Sequence, residues 1–208
     1  MGDYLKLRWI IGLDDGYFPP YYKGRKGYTI LLGVKYSLTK RIIEGIAYTF
    51  ILVDGLDATE KAIRLVEYLG GDIVLYDGIT YAGFNVIDPF RIQSITSVPG
   101  IVFYRHPLSL KRISDALVKH FPDYKIRLDV IRRALLRRYK ISTEWGIYEY
   151  TPVEIDPLEA KKLLEKLQYF SPEPEPIRIA DILSSKASRK LIIRYERARR
   201  DLNPGPTG

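Results

Sequence analysis

The chain has 208 residues with 33 Lys and Arg against 25 Asp and Glu, a formal charge of +8, and 46% hydrophobic side chains, enough for one large domain with a real core. Cysteine is absent and histidine occurs twice, which excludes disulfides, thiolate metal sites and Cys-based catalysis and points to a reducing, cytoplasmic setting. No run reaches the roughly 18 apolar residues of a membrane helix, and the opening MGDYLKLRW lacks the apolar centre of a signal peptide.

In chain order, Arg8 to Leu13, Tyr28 to Ser37 and Ile42 to Leu52 are rich in β-branched and aromatic residues and bounded by Gly, Pro and Lys clusters, so they are expected to be strands. The short link between the second and third predicts an antiparallel hairpin. A helical pattern then runs through Ala62, Ile63, Leu65, Val66 and Leu69 to Gly70-Gly71, with Asp57 and Glu60 spaced as a capping box. Ile73 to Tyr76 reads as a buried strand, Asp88-Pro89 as a capped helix start, and Gly100 to Tyr104 as another strand. Leu108 to Phe121 and Asp129 to Tyr139 are expected to be helices. Three antiparallel strands followed by alternating helix and strand predict an α/β chain with a mixed central sheet flanked by helices, the order of ribonuclease-H-like folds. This domain is expected over residues 1–150. Residues 151–202, with Pro172, Pro174 and Pro176, read as a peripheral helical appendage, and 203–208 as a disordered tail.

Two apolar runs end on aspartate: one meets Asp14-Asp15-Gly16, the other Asp77-Gly78. Each Asp before Gly is an ordinary turn former. What sets Asp14 and Asp77 apart is their joint placement, at strand ends that the expected sheet brings side by side. Near the first helix the same fold offers Asp54, Asp57 or Glu60 as a third acid. Oxygen ligands suit hard cations such as Mg²⁺ or Mn²⁺, and a pair of ions about 3.5–4 Å apart suits phosphodiester hydrolysis.

The excess charge is localised. Between Arg105 and Lys140 there are 11 Lys or Arg against three Asp, so this segment holds a surplus equal to the net charge. Arg132, Arg133, Arg137 and Arg138 lie there on one helical face, a pattern that fits a phosphate backbone or a merely solvated surface. The loop DDGYFPPYYKGRKG interleaves Tyr17 and Phe18 with Lys23, Arg25 and Lys26, suited to stacking bases and holding phosphates. Arg105, Lys111 and Arg112 follow the last strand, placed for a scissile phosphate.

The motifs GLDDGYF, VDGLDAT and YDGITYAGFNVID, in this order and spacing, resemble the archaeal endonuclease-V-like family, over roughly Arg8 to Phe121. The resemblance implies a ribonuclease-H-like fold, acidic residues that bind a divalent metal, and nicking of DNA near deaminated bases, in repair. It matches Asp14 and Asp77 to the family's first- and fourth-strand aspartates and places Arg105 where endonuclease V carries a lysine. For the third metal ligand it favours Asp57. The family's association with deoxyuridine makes uracil a candidate lesion beside hypoxanthine. One departure stands out: where endonuclease V has a Tyr-Pro wedge, this chain has ILVDGLDAT. A reading of another class is a non-catalytic nucleic-acid-binding protein on the same scaffold.

Overall fold

In the computed structural model, residues 7–22 and 27–202 are described. Nine strands are present, β1 (Trp9–Asp15), β2 (Tyr28–Ser37), β3 (Ile42–Leu52), β4 (Ile73–Asp77), β5 (Thr80–Tyr81), β6 (Asn85–Val86), β7 (Gly100–Tyr104), β8 (Tyr139–Thr143) and β9 (Gly146–Val153). The helices are α1 (Ala58–Leu69), α2 (Pro89–Thr96), α3 (Leu110–His120), α4 (Tyr124–Leu135), α5 (Pro157–Leu167) and α6 (Glu175–Leu202). Seven strands form one mixed sheet in the order β3-β2-β1-β4-β7-β9-β8, and β5 and β6 form a small separate hairpin. The outer strands β2 and β3 run antiparallel to their neighbours, while β1, β4 and β7 are parallel. This is a ribonuclease-H-like architecture, extended by the β8–β9 hairpin on the far side of β7.

Alternation along the strands sorts the core into two layers. On one face, Ile11, Leu13, Val74, Tyr76 and Val102 pack with α1, with Ile92 of α2, Leu117 of α3 and Ile131 of α4. On the other, Ile10, Ile73, Leu75, Ile101 and Phe103 pack with Ala160, Leu163 and Leu164 of α5 and Ile177 of α6, and Ile30, Leu32 and Val34 pack with Ala180 of α6. Among the described residues no helix is long and apolar enough to cross a membrane.

Several expectations need correction. Residues 157–202 are not peripheral: they form the second helical layer, and the sheet itself runs past residue 150 to Val153. The reason is close approach at β1. A Cβ on Gly12 would stand 2.3 Å from the Pro176 carbonyl oxygen, so only glycine lets α6 lie this near the sheet. The helix expected over Asp129 to Tyr139 instead starts at Tyr124 and ends at Leu135, because Tyr139 is already paired with Tyr150 in the edge hairpin. The capping box at Asp57 does not form. The Asp57 carboxylate makes no cap bond, Asn85 Oδ1 accepts from the Ala58 N–H at 3.1 Å instead, and Glu60 is engaged by Arg91. The cap at Asp88 does form, its Oδ1 accepting from Phe90 N at 3.0 Å and Arg91 N at 3.1 Å. The tail expected over 203–208 lies outside the described residues.

Candidate metal and nucleic-acid site

The even-numbered positions of β1 face α5 and α6, as Ile10 and Gly12 show, and Asp14 continues that row at the strand's end. On β4 the same face carries Ile73 and Leu75 and ends on Asp77. Since Leu13 pairs with Tyr76 in parallel register, Asp14 and Asp77 finish adjacent strands side by side. Phe103 of β7 shares this face, and two residues on, Arg105 reaches back over both acids.

Arg105 is the centre of the cluster. Its Nε donates to Asp77 Oδ1 at 2.9 Å, and its Nη2 lies 2.7 Å from Asp77 Oδ2 and 3.9 Å from Asp14 Oδ2. Its Nη1 donates to Glu173 Oε1 at 2.8 Å and Asp181 Oδ2 at 3.3 Å. Four carboxylates from β1, β4, α6 and the segment before α6 thus meet one guanidinium. Asp15 adds a fifth acid nearby, its Oδ2 accepting from the Ala82 N–H at 2.9 Å while the Ser184 hydroxyl donates to its backbone carbonyl at 2.8 Å.

Burial and mutual repulsion dominate the electrostatics. Asp14 is only 6% exposed, and burial, then Asp77 and Asp15, raise its carboxyl well above the usual range. Burial pushes Asp15 up to about 7, against the Ala82 N–H that holds it down. Asp77 is also raised by burial, although Arg105 opposes the rise. Burial works against the Arg105 charge, but Asp77, Glu173 and Asp14 lift it above its ordinary value. The fully buried Tyr81 hydroxyl, which feels the charges of Asp77, Asp14 and Asp15, has no hydrogen-bond partner.

Among the described residues no three acidic or histidine side chains converge as a ready-made metal cage. The donor set nevertheless fits a hard divalent cation: the carboxylates are oxygen donors, they crowd one strand edge, and their raised proton affinity measures how strongly the site attracts positive charge. Asp57 lies apart from this set. Its Oδ1 accepts from Asn85 Nδ2 at 2.7 Å and Leu52 N at 3.2 Å, which ties the β3–α1 turn to β6. Asp54 is likewise occupied, its Oδ1 accepting from Phe84 N at 2.9 Å.

Sequence reasoning missed Asp181 and Glu173. The signal was there: Asp181 is the sole acid between Glu175 and Glu196 in an otherwise basic helix. It also missed Arg127, 3% exposed, which donates to the carbonyls of Gly55 at 2.8 Å, Phe84 at 2.6 Å and Asp54 at 3.0 Å and so clamps the turn before α1.

The basic residues separate into engaged and available. Arg133 is bound to Asp88 and stacked 4.6 Å from the Phe90 ring centre, Arg138 is held by Glu149 at 2.5 Å, and Lys111 pairs with Asp115 at 2.9 Å. Arg132 and Arg137 are exposed and, with Asp129, Arg133 and Leu136, line an open groove of about 560 Å³. Arg112 is exposed on the first turn of α3. Tyr17 is 40% exposed beneath the Arg189 guanidinium, whereas Phe18 packs against the core. Lys23, Arg25 and Lys26 lie outside the described residues.

The sequence profile of the endonuclease dU family matches residues 7–188. A UPF0215 protein of Sulfurisphaera tokodaii is 37% identical over 184 residues, covering 88% of this chain and 96% of that protein. The UPF0215 protein of Pyrococcus furiosus is 36% identical over 184 residues, covering 86% and 92%. A crystal structure of a protein of unknown function from Archaeoglobus fulgidus superposes with a TM-score of 0.72 at 27% identity, over 86% of this chain and 98% of that one. Endonuclease V of Bacillus subtilis shares the fold, with a TM-score of 0.60 at 13% identity over 92% and 84% of the two chains. So does endonuclease V of Ciona intestinalis, solved with DNA containing an inosine followed by a ribo-adenosine (TM-score 0.58, 13% identity, 92% and 88% covered).

Proposed function

From the premise that this chain belongs to the endonuclease dU family, we propose that it is a metal-dependent endonuclease nicking DNA at or near a deaminated base, uracil or hypoxanthine, in DNA repair. The observation that carries the reading is the pair Asp14, buried, and Asp77, half-buried, side by side at the ends of parallel strands and joined by Arg105, which also holds Asp181. Asp14 and Asp77 would hold Mg²⁺ or Mn²⁺, with Asp15 beside Asp14, and Asp181 and Glu173 on the shared Arg105, as further donors; Asp57 is engaged with Asn85. When bound, the cation supplies charge neutralisation and polarisation at the scissile phosphate.

The chain's own residues do the rest. Arg105, held on two sides by Asp77, presents a fixed cation for a phosphate oxygen. Arg112 and Arg132 are available to follow the backbone, with exposed Arg137 beside them, stacked 5.1 Å from the Phe90 ring centre. The DNA carried by the Ciona intestinalis relative supports a nucleic-acid partner for the same fold.

A specific observation favours a second reading, a non-catalytic nucleic-acid binder: Arg105 already ties together four acids, as a structural cation would. The deciding experiment offers labelled duplex and single-stranded DNA with one uracil, one inosine or no modification, in Mg²⁺, Mn²⁺ or EDTA, to wild type and Asp77→Asn. Nicking confined to a deaminated substrate, lost in EDTA and reduced by about 100-fold or more in Asp77→Asn, supports the nuclease. Salt-sensitive binding with no nicking on any substrate supports the binder.

A further inference from the structure

Strand β3 is an open edge of the sheet, and from Gly45 to Leu52 it carries no charge and no proline, the usual devices for protecting such an edge. On the face away from α1 its residues are large and apolar or aromatic: Ile46 is 50% exposed and Tyr48 51%, the Tyr48 ring edge-on to Phe50 at 6.1 Å. Beside the same edge, on the opposite sheet face, to which Gly45 and Ala47 point, α1 presents Tyr68, 80% exposed, with Lys61 and Arg64. Together they line a groove of about 450 Å³ whose described walls hold two cations and no acid. Neither cation has an acidic partner among the described residues, since neighbouring Glu60 is taken by Arg91. The groove also lies level with the acidic cluster. Asp14 pairs with Leu32 and Leu32 with Tyr48, so Tyr48 stands in the same cross-strand row and on the same face as Asp14, two strands or about 10 Å away. Lys61, Arg64 and Tyr68 stand on the α1 face, and the groove passes round the sheet edge between them.

We infer that this β3–α1 groove is a binding path for single-stranded nucleic acid, bases stacking on Tyr48 and Tyr68 and phosphates meeting Lys61 and Arg64. The inference rests on the nucleic-acid reading above and extends it to a strand of defined state beside the cut. Aromatic faces accept any base, and paired cations without acids complement a phosphate chain. A second copy of this chain is a poorer occupant, because a two-fold axis perpendicular to β3, which would pair the two edges antiparallel, would bring Lys61 and Arg64 of both copies onto one interface.

The test is fluorescence anisotropy with labelled oligodeoxythymidine and a labelled unmodified duplex, using the full chain, the variants Y48A, Y68A and K61E/R64E, and Asp77→Asn. Each aromatic variant should weaken single-strand affinity by about tenfold or more with little change on duplex. The charge variant should make log affinity against log salt shallower by roughly 1.4. Tyr68 is so exposed that its loss leaves folding intact, which keeps the test valid even if Y48A is unstable. Single-strand affinity unchanged in Y68A and K61E/R64E overturns the inference. So does a wild-type dimer in sedimentation that Y48A disperses without affecting binding, which assigns the edge to a second copy. Asp77→Asn should bind oligodeoxythymidine as wild type does. If wild type never nicks yet these variants lose single-strand binding, the groove stands and the nuclease reading falls.

Discussion

Asp57 is engaged away from the acidic cluster, whereas Asp181 meets it through Arg105. Asp57 sits at a helix start, where an acid reads as a ligand or a cap, but Asn85, 28 residues later, takes its carboxylate into a turn. Replacing it with Ala leaves the Leu52 N–H and the Asn85 amide short of a partner. Asp57→Ala is therefore expected to lower stability by about 1–3 kcal/mol in denaturant unfolding while sparing nicking by the folded fraction. Asp181 points at Arg105 from the middle of α6, so Asp181→Asn should leave the unfolding midpoint nearly unchanged and reduce nicking by about tenfold or more. If Asp57→Ala abolished nicking at full stability and Asp181→Asn were silent, the assignment would be reversed.

At the level of elements, what holds the site together is the contact of α6 with β1. Gly12→Ala pushes a Cβ into the backbone of Pro176, which no rotamer change relieves, and should cost about 1–3 kcal/mol while displacing the segment that carries Glu173 and Asp181. A thermal melt together with a metal titration checks both parts. This packing also explains what the sequence could and could not show. Strands β1 to β4 and β7 were legible because their β-branched runs are bounded by Gly and Pro, and the Asp88-Pro89 cap because its chemistry is local. The β8–β9 hairpin was hidden: only Ile141 of β8 is buried, so an edge strand with exposed Tyr139 and Lys140 shows no apolar run. Helix α6 looked peripheral because it is strongly charged and its central buried positions are small residues, Ala180, Ser184 and Ser188, the last packed against Gly16. Asp181 and Glu173 escaped notice for the same reason, since their approach to Arg105 depends on where that helix lands.

For the molecule as a whole, the acidic cluster is a cost to folding that the proposed cation would relieve. The folded-state proton affinities of Asp14, Asp15 and Asp77 all lie above their unfolded values, Asp15 reaching about 7. Where the folded state binds more protons than the unfolded, stability falls as pH rises. In EDTA, stability attributable to these carboxyls is therefore fully present below about pH 4 and is lost as pH climbs toward 7, the reverse of an acid held down by a salt bridge. Glu173, raised by burial, adds in the same direction, while Asp123, lowered by its bond to Arg127, opposes it weakly from an exposed position. A cation competes with the protons, so Mg²⁺ or Mn²⁺ should raise the melting temperature more at pH 8 than at pH 5. The gain should shrink in Asp77→Asn, which removes one of the repelling charges along with a donor. Melting curves at the two pH values, with metal and with EDTA, give the result directly: a metal-induced gain equal at both, or retained in full by Asp77→Asn, would place the cation somewhere other than beside Asp14 and Asp77.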